Sequence, residues 1–582
     1  MTIKTLSPRQ QDAINSSGRI ILKSCPGSGK TFVVANKMIV EMANWKYKNK
    51  GIALISFTNV AHEEVDKQIQ YISRINRIGY PHYTGTIDSF ISQYIFLPFG
   101  HLIMGCEEKP SIIQDFSFNV LEYSKKIWRG ECYRNNCKPL DFYINTDGNI
   151  KNLKKDLTNC PLSGKRSCQT FKKYCYKHGY ATYTDVVSIA IRVLKQYPAI
   201  GKLLANRFPQ MIIDEAQDTS AYQMEIIDLL LSYGARNVLL IGDPDQAIYE
   251  WRDADPSIFL SKYINSDWKA KELNENYRCS QNICNATKIF STLNDISTAK
   301  GETATSDFMS QVVRYDASNK NCVIDYFLEL CRERKIEITP DRVAVLVRGV
   351  AGLIGKDYSQ IVDLWQSQTA KLFSEAAYER DYQSIKRAIS LVEKGLFQTF
   401  IDSSSISNDM NDTKMMKVMP ISKWRSMVLT ICKAIPSSDI PLRLWKDQIF
   451  SLIKKVSIRC ELPVVIGSEI KIKTRVRDAK LNDFLDQPVK NFYARSFNLS
   501  YLNSTIHAVK GCTFEAVLLI LGTNGKLTSN MVNTKPIESE EVRTAYVAMT
   551  RAKQVLVVAI PKTVKPKTLE RFHESNWEIK QI

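Results

Sequence analysis

The sequence lacks any run of 18 or more apolar residues, which is the length that a membrane-spanning helix needs. The longest late apolar run, AVLLILG at positions 516–522, has the length of a β-strand. The N-terminal residues MTIKTLSPRQQDAI contain no apolar core typical of a secretory signal. These absences exclude a membrane-spanning protein, and we expect a cytoplasmic location.

Closely paired cysteines are also missing, since no C-x-x-C pair occurs among the 14 cysteines. Six of them lie in one segment near His178 at irregular spacings: Cys106, Cys132, Cys137, Cys160, Cys168 and Cys175. A metal cluster there is conceivable, but free structural thiols are favoured because metal-binding cysteines usually come in regular pairs.

Acidic residues are fewer than basic ones. The 582 residues contain 79 Lys and Arg against 60 Asp and Glu, a net charge of +19. The excess is concentrated in residues 121–180, where basic side chains alternate with aromatic rings. Such a segment suits single-stranded nucleic acid, whose phosphates need cations and whose bases stack on rings, although charge alone can also serve solubility.

Short apolar runs alternate with longer helical patterns, which is typical of parallel α/β sheets. Two groups of runs predict two such domains: RIILKS (19–24), GIALISF (51–57), QMIIDE (210–215) and NVLLIG (237–242), then DRVAVLVR (341–348), EAVLLILG (515–522) and QVLVVAI (554–560). Residues of about 90–185 and 354–495 lack this signature and read as mainly helical insertions into the two domains.

The stretch SCPGSGKT at 24–31 links the first predicted strand to a helical pattern, as a phosphate-binding loop does. Ser24 stands where the general loop pattern has Gly. Two glycines would let backbone amides face phosphates at a helix N-terminus. Lys30 would reach the β- and γ-phosphates, and Thr31 would ligate Mg²⁺. The predicted nucleotide-binding residues here are Ser24, Cys25, Pro26, Gly27, Ser28, Gly29, Lys30 and Thr31.

The segment IIDEAQD at 212–218 supplies acidic side chains at the end of another predicted strand. Asp214 would hold Mg²⁺, and Glu215 would act as the general base toward the attacking water. Alone, this segment could be a solvated acidic turn. Together with the phosphate loop, it predicts an ATP hydrolase.

These motifs and others in the same order resemble superfamily 1A DNA helicases of the UvrD/Rep/PcrA type. The matching segments are LSPRQQDAI (6–14), FTNVAHEEVDKQI (57–69), GTIDSF (85–90), DEAQDTS (214–220), GDPDQAIYEWRDAD (242–255), LNENYRCS (273–280), TIHAVKGCTFEAV (505–517) and EEVRTAYVAMTRAK (540–553). The resemblance implies two RecA-like P-loop NTPase domains, a first from residues 1–89 and 186–277 and a second from 278–353 and 496–582. Residues 90–185 and 354–495 would form the two insertions.

The resemblance also implies roles for single residues. Around ATP, Gln10 would read the adenine edge, Tyr277 would stack on the base, and Gln246 would sense the γ-phosphate. Arg278 and Arg551 would contact the γ-phosphate from the far side of a cleft.

On DNA, the rings of Phe57, Tyr249 and Trp251 would stack on bases, while Asn59, Thr86, Arg252 and His507 would contact backbone or flanking bases. Outside the family context, core positions are the favoured interpretation of Phe57 and Trp251, since most aromatic side chains lie in the core.

Three positions depart from the family pattern and bear on binding rather than on hydrolysis. Phe32 stands where relatives often have Arg, Asp88 where they have His, and Thr513 where they have Glu. The resemblance implies a 3′–5′ translocase that uses ATP and Mg²⁺ on single-stranded and tailed duplex DNA. The short second insertion also resembles helicase-like subunits of antiphage systems such as Gabija. It leaves open a DNA-stimulated ATPase that regulates a partner nuclease of the OLD type.

Overall fold

Two six-stranded parallel sheets organise the chain. The computed structural model describes residues 6–74, 78–113, 141–153, 157, 167–250, 254–317, 319–349, 365, 367–382, 384–401, 419–462, 485–493, 499–522, 538–564, 567–573 and 575–582. Among these residues, no helix is both long and apolar enough to cross a membrane.

The first sheet contains four runs expected from the sequence and two further strands at its edges. Its strands are β1 (Arg19–Ser24), β2 (Ile52–Ser56), β3 (Tyr83–Thr86), β4 (Gln210–Ile213), β5 (Asn237–Gly242) and β6 (Lys269–Leu273), in the spatial order β6-β1-β5-β4-β2-β3. Every neighbouring pair is parallel. The carboxyl ends of β1, β5 and β4 therefore meet at one edge of the sheet, where ligands of such sheets bind.

The second sheet repeats this parallel design. Its strands are β7 (Gln311–Tyr315), β8 (Val343–Val347), β9 (Leu502–Thr505), β10 (Phe514–Ile520), β11 (Ala552–Pro561) and β12 (Glu578–Gln581), in the spatial order β9-β8-β10-β11-β7-β12. The predicted α/β fold with two parallel-sheet units is confirmed.

Helices cover both faces of each sheet because the strands are apolar on both sides. On the first sheet, one face carries Pro8–Asn15, Lys30–Ala43 and Asn59–Ser73, and the other carries Tyr183–Gln196, Pro198–Arg207, Ala221–Ser232 and Pro256–Ile264. On the second sheet, one face carries Gln281–Thr287, Glu540–Met549 and Lys567–His573, and the other carries Lys320–Glu333.

The segment predicted to be the first insertion shares part of its core with the first sheet, while Phe142, Cys168, Phe171 and Cys175 form a separate small core. Its described helices are Ile87–Ile91, Leu97–Phe99, His101–Met104 and Ser167–Lys177, with a π-helical turn at Ser92–Phe96, and its strands are Ser111–Ile112, Phe142–Ile144, Ile150–Asn152 and Tyr180–Ala181. A buried ion pair joins Lys172 Nζ to Asp185 Oδ2 at 2.5 Å. Asp185 also caps its own helix at Thr182 and accepts a hydrogen bond from the Ile144 amide.

The second insertion has a core of its own, centred on Trp424 and Trp445. Its described helices are Gln368–Tyr382, Ile385–Phe400, Ile421–Ala434 and Leu442–Cys460, with a 3-10 turn at Val489–Phe492. The exact domain boundaries remain predictions.

Three of the six clustered cysteines lie in the described part of the chain. Cys106, Cys168 and Cys175 are buried free thiols. No group of His, Cys, Asp and Glu among the described residues is arranged to hold a metal ion. Cys132, Cys137 and Cys160 lie outside those residues.

Candidate active site

The phosphate-loop segment leaves the carboxyl end of β1 and runs directly into the Lys30–Ala43 helix. Gly27 and Gly29 adopt positive φ values of 70° and 79°, which glycine tolerates without a steric penalty. Gly29 is the N-cap of that helix, so Lys30 and Thr31 form its first turn. The sequence prediction of a strand, a tight loop and a helix is matched here element by element.

The two residues that open the loop are packed into the fold. Ser24 is fully buried, and its hydroxyl donates to the Gly242 carbonyl at 2.9 Å, which ties β1 to β5. The buried Cys25 thiol donates to the Glu275 carbonyl at 3.7 Å, and burial raises the pKa of this thiol to about 12. Ser24 is thus accommodated between the two strands at the position where the general loop pattern has Gly.

Two adjacent carboxylates stand at the carboxyl end of β4. The Asp214 amide donates to the Ile55 carbonyl at 2.8 Å, and the Glu215 amide donates to Asp214 Oδ1 at 2.9 Å. Burial, followed by the neighbouring charge of Glu215, raises the pKa of Asp214 to about 7. Burial alone would raise the pKa of Glu215 too, but the cations Lys30 and Lys510 outweigh it and the pKa is lowered. Glu215 is thus held ionised beside the phosphate loop, as a general base requires.

Glu215 has a left-handed backbone conformation, with φ 53° and ψ 39°. This region is uncommon for residues other than glycine, and such strain costs of order 1–3 kcal/mol. Strained residues of this kind cluster at functional sites, where the surrounding contacts hold them in place.

Gln246 connects the first half of the chain, which is built on the first sheet, to an arginine of the second half, which is built on the second sheet and begins at Arg278. The boundary between these two halves is termed the cleft. Its Nε2 donates to Asp243 Oδ2 at 2.5 Å, and its Oε1 accepts from Arg551 Nη2 at 2.8 Å. Arg551 is buried, and burial together with the nearby Arg278 lowers its pKa to about 9. Arg278 Nη1 donates to the Thr550 carbonyl at 3.2 Å, so both arginines lie together. Burial raises the pKa of the nearby Glu64 carboxyl. The charges of Arg278, Lys30 and Arg551 all act on that pKa in the opposite direction, so these three residues form a cationic cluster suited to a phosphate chain.

The residues expected around adenine also lie at the loop. Gln10 is buried; its Nε2 donates to the Ser28 carbonyl at 3.0 Å, and its Oε1 accepts from the Ser7 amide. The Tyr277 amide donates to the Gly27 carbonyl at 2.8 Å. Gln10 and Tyr277 are therefore brought together on the two sides of the loop, while their contacts with a base remain predictions.

An ion pair that sequence reasoning missed spans the same cleft. Lys510, from the second half, places its Nζ 2.6 Å from Asp218 Oδ2 of the first half. The same ammonium lies 4.5 Å from the centre of the Tyr249 ring. Lys510 follows His507 by three residues in the motif TIHAVKGCTFEAV (505–517). Its place in this motif was the sequence signal that could have marked it as functional. Its partner could not be read from the sequence because 292 positions separate the two residues.

Of the residues predicted to bind DNA, Tyr249 lies beside this ion pair and Phe57 packs against Tyr249. The rings of Phe57 and Tyr249 are 5.6 Å apart, with Phe57 buried and Tyr249 half-buried. Asn59 is exposed in the first turn of its helix. Thr86 Oγ1 caps the helix that follows β3 by accepting from the Ser89 amide, a structural role beside the predicted one.

His507 lies 3.3 Å from Arg348 Nη1 through its Nδ1. Burial, followed by the charge of Arg348, lowers its pKa, so the ring is neutral at pH 7. Trp251 and Arg252 lie outside the described residues, and their contacts with DNA stay predictions.

One departure from the family pattern has a structural partner. Asp88 Oδ1 accepts from Gln223 Nε2 at 2.8 Å. Gln223 in turn belongs to the capping box of the Ala221–Ser232 helix. The Asp88 carboxylate is therefore held against the first half of the chain.

Paired parallel sheets with a phosphate loop, strand-end carboxylates and arginines from the opposite half define the class of tandem RecA-like P-loop NTPases. Comparison with known families narrows this class. Residues 6–267 match the UvrD/REP helicase N-terminal domain, and residues 464–563 match the UvrD-like helicase C-terminal domain. The two matches together cover more than half of the chain, which belongs to the UvrD/Rep helicase family, a family of ATP-hydrolysing helicases.

Curated relatives match over nearly the whole length. The chain is 24% identical to the ATP-dependent DNA helicase Rep of Buchnera aphidicola subsp. Schizaphis graminum, over 95% of this chain and 92% of the relative. It is 21% identical to the ATP-dependent DNA helicase PcrA of Staphylococcus epidermidis, over 96% and 83%. It is 22% identical to the Gabija protein GajB of Bacillus cereus, over 94% of both chains.

Proposed function

We propose that this protein is an ATP-driven DNA translocase and helicase that moves 3′ to 5′ on single-stranded DNA. The observation that carries the proposal is the hydrogen-bonded chain Asp243–Gln246–Arg551, which joins the phosphate-loop half to the arginine-bearing half. A nucleotide between the two halves would touch both, so its hydrolysis would change how tightly they close. The direction of movement is taken from the family resemblance.

The residues at the loop fit a Mg²⁺ ion. Thr31 offers a hydroxyl and Asp214 a buried carboxylate, and such oxygen ligands are the ones that Mg²⁺ prefers. Burial, followed by the charge of Glu215, raises the pKa of Asp214, and a bound divalent cation would offset both effects. When bound, the ion would neutralise charge on the phosphate oxygens.

Hydrolysis needs a proton acceptor and a set of cations. Glu215 is held ionised and would take the proton of the attacking water. Lys30, Arg278 and Arg551 would stabilise the charge that develops on the transferred phosphoryl group. Such preorganised charges are usually the largest contribution to catalysis.

The segment that follows Gln246 would couple ATP hydrolysis to DNA binding. The buried Arg543 Nε donates to the Ala247 carbonyl at 2.6 Å, and Tyr249 lies two residues further on. The arginine-bearing helix Glu540–Met549 thus holds the segment that presents Tyr249. A change at Arg551 would be transmitted to the predicted base-stacking surface.

A second candidate is a DNA-stimulated ATPase that regulates a partner nuclease of the OLD type in antiphage defence. It is favoured by the similarity to GajB over 94% of both chains. Unwinding would then be weak or absent.

ATPase activity with and without single-stranded DNA, together with strand displacement on 3′-tailed and 5′-tailed duplexes, tests both candidates. The helicase displaces the strand from a 3′ tail only. Unwinding from a 5′ tail contradicts the direction of movement. DNA-stimulated ATPase without displacement supports the second candidate, and absence of ATPase under all conditions refutes both.

A further inference from the structure

Gln217 is a wholly buried amide at the centre of the site, and none of the roles above uses it. Its Nε2 donates to Glu215 Oε2 at 2.5 Å and to Asp218 Oδ2 at 3.2 Å. Its Oε1 accepts from the Asp243 amide at 3.1 Å. The orientation of the amide follows from its partners, because ionised carboxylates only accept and a backbone N–H only donates.

The end of β5 leaves room for this side chain. A Cβ on Gly242 would lie 2.4 Å from Gln217 Oε1, closer than any real contact. Gly242 is therefore needed where the strand passes the amide. The backbone of β5 and the side chain of Gln217 are fitted to each other.

Gln217 restrains the residue proposed as the general base. Glu215 has a left-handed backbone conformation, and one of its carboxylate oxygens is bonded to the Gln217 amide. Because Gln217 is also tied to the Asp243 amide, the direction of the Glu215 carboxylate depends on the position of β5.

The same amide reaches the opposite half of the chain through one shared atom. Asp218 Oδ2 accepts from Gln217 Nε2 and from Lys510 Nζ. Lys510 belongs to the second half. The chain of hydrogen bonds Glu215–Gln217–Asp218–Lys510 therefore crosses the cleft. Withdrawal of Lys510 would release one end of this hydrogen-bonded chain.

We propose that Gln217 is a positioning residue that aims the Glu215 carboxylate at the attacking water and makes this aim depend on Lys510 closing across the cleft. This inference rests on the proposed ATPase function. It explains how closure by the second half can activate a base that belongs entirely to the first half.

Steady-state ATPase kinetics of Gln217→Met test this role, with single-stranded DNA at saturation. The variant keeps the length of the side chain and loses its hydrogen bonds. A misdirected base lowers the rate of chemistry by about a hundredfold. The KM for ATP stays within about threefold, because Glu215 contributes to the transition state rather than to ground-state binding. Gln311→Met is the matched control, since Gln311 is a buried amide on the second sheet, bonded to Glu578, and its kcat stays that of the wild type.

A double-mutant cycle separates positioning from a structural role. In a Glu215→Gln background, Gln217→Met lowers the residual single-turnover rate by less than about twofold, because the group that it aims is already gone. If Gln217→Met lowers the rate in this background by about the same hundredfold as in the wild type, Gln217 acts independently of Glu215 and the inference is overturned. Combined with Lys510→Met, Gln217→Met has a less than additive effect, and full additivity would overturn the link across the cleft.

Gln217→Asn covers the case in which the Met variant does not fold. It keeps an amide and adds no apolar atom, but it is one methylene too short for all three partners, so kcat falls at an unchanged unfolding temperature. If the wild type hydrolyses ATP and both variants keep its kcat, the inference alone fails. If the wild type hydrolyses no ATP, the proposed function fails first.

Discussion

Replacement of Lys510 by Met removes the ion pair that joins the two halves beside the active site. Lys510 Nζ lies 2.6 Å from Asp218 Oδ2, and the Asp218 side chain is 1% exposed. Breaking a buried pair by deleting one partner costs about 3–5 kcal/mol, because the remaining charge is left uncompensated. The pair spans the cleft, so this free energy stabilises the closed arrangement. Every 1.4 kcal/mol is tenfold, and the loss therefore shifts the closing equilibrium by about a hundred- to a few thousandfold.

Two measurements follow the expected opening of the cleft. Hydrogen exchange in peptides that cover residues 243–247 and 543–551 becomes faster in Lys510→Met, since these segments meet across the cleft. DNA-stimulated kcat falls in parallel, because Arg551 no longer stays in reach. The assays are run at pH 8, where Asp218 is ionised even though burial raises its pKa to about 6.

Lys553→Met is the control for this experiment. Lys553 Nζ pairs with Glu515 at 2.8 Å, and both residues belong to the second half. Its loss leaves the cleft closed. If Lys510→Met exchanges and hydrolyses ATP like the wild type, the ion pair does not hold the halves together and the reasoning is refuted.

Three other substitutions have defined outcomes. Lys30→Ala abolishes ATP turnover in a phosphate-release assay, because the loop loses its phosphate-binding ammonium; wild-type turnover would sink the assignment of the site. Tyr249→Ala weakens single-stranded DNA binding by about 1–3 kcal/mol in fluorescence anisotropy. Its salt dependence stays unchanged, since no phosphate contact is lost, and a changed slope would contradict base stacking. Lys172→Met lowers the free energy of unfolding of the first insertion by about 3–5 kcal/mol in denaturant titrations, because its buried partner Asp185 loses its counter-charge. Lys195→Met is the control, because Lys195 is half-exposed in its ion pair with Glu225, and it changes that free energy by less than about 1 kcal/mol. Equal effects of Lys172→Met and Lys195→Met would contradict the role of burial.

The strands that sequence reasoning found and missed differ in composition for a physical reason. The runs RIILKS and NVLLIG lie inside the first sheet, where both faces are covered, so each contains an unbroken apolar stretch, IIL and VLLIG. The edge strands β6 and β12 read KAKEL and EIKQ and are only partly buried, so they contain no continuous apolar run. β7 lies within the second sheet, but Gln311 and Arg314 leave only two adjacent apolar residues in its sequence QVVRY, and it was missed as well.

The sequence by itself determined the family, the order of the motifs and the local geometry of the loop. These depend on contiguous residues: glycines that accept positive φ, a helix that starts at Lys30, and carboxylates that follow an apolar run. Only the tertiary structure decided which distant groups meet: Lys510 with Asp218, and Arg551 with Gln246. It also brought the Gln217 amide to the end of β5, 26 positions along the chain. A buried hydrogen bond needs a donor and an acceptor within about 3 Å. For groups hundreds of positions apart, that proximity is set by the packing of the two sheets rather than by any local pattern.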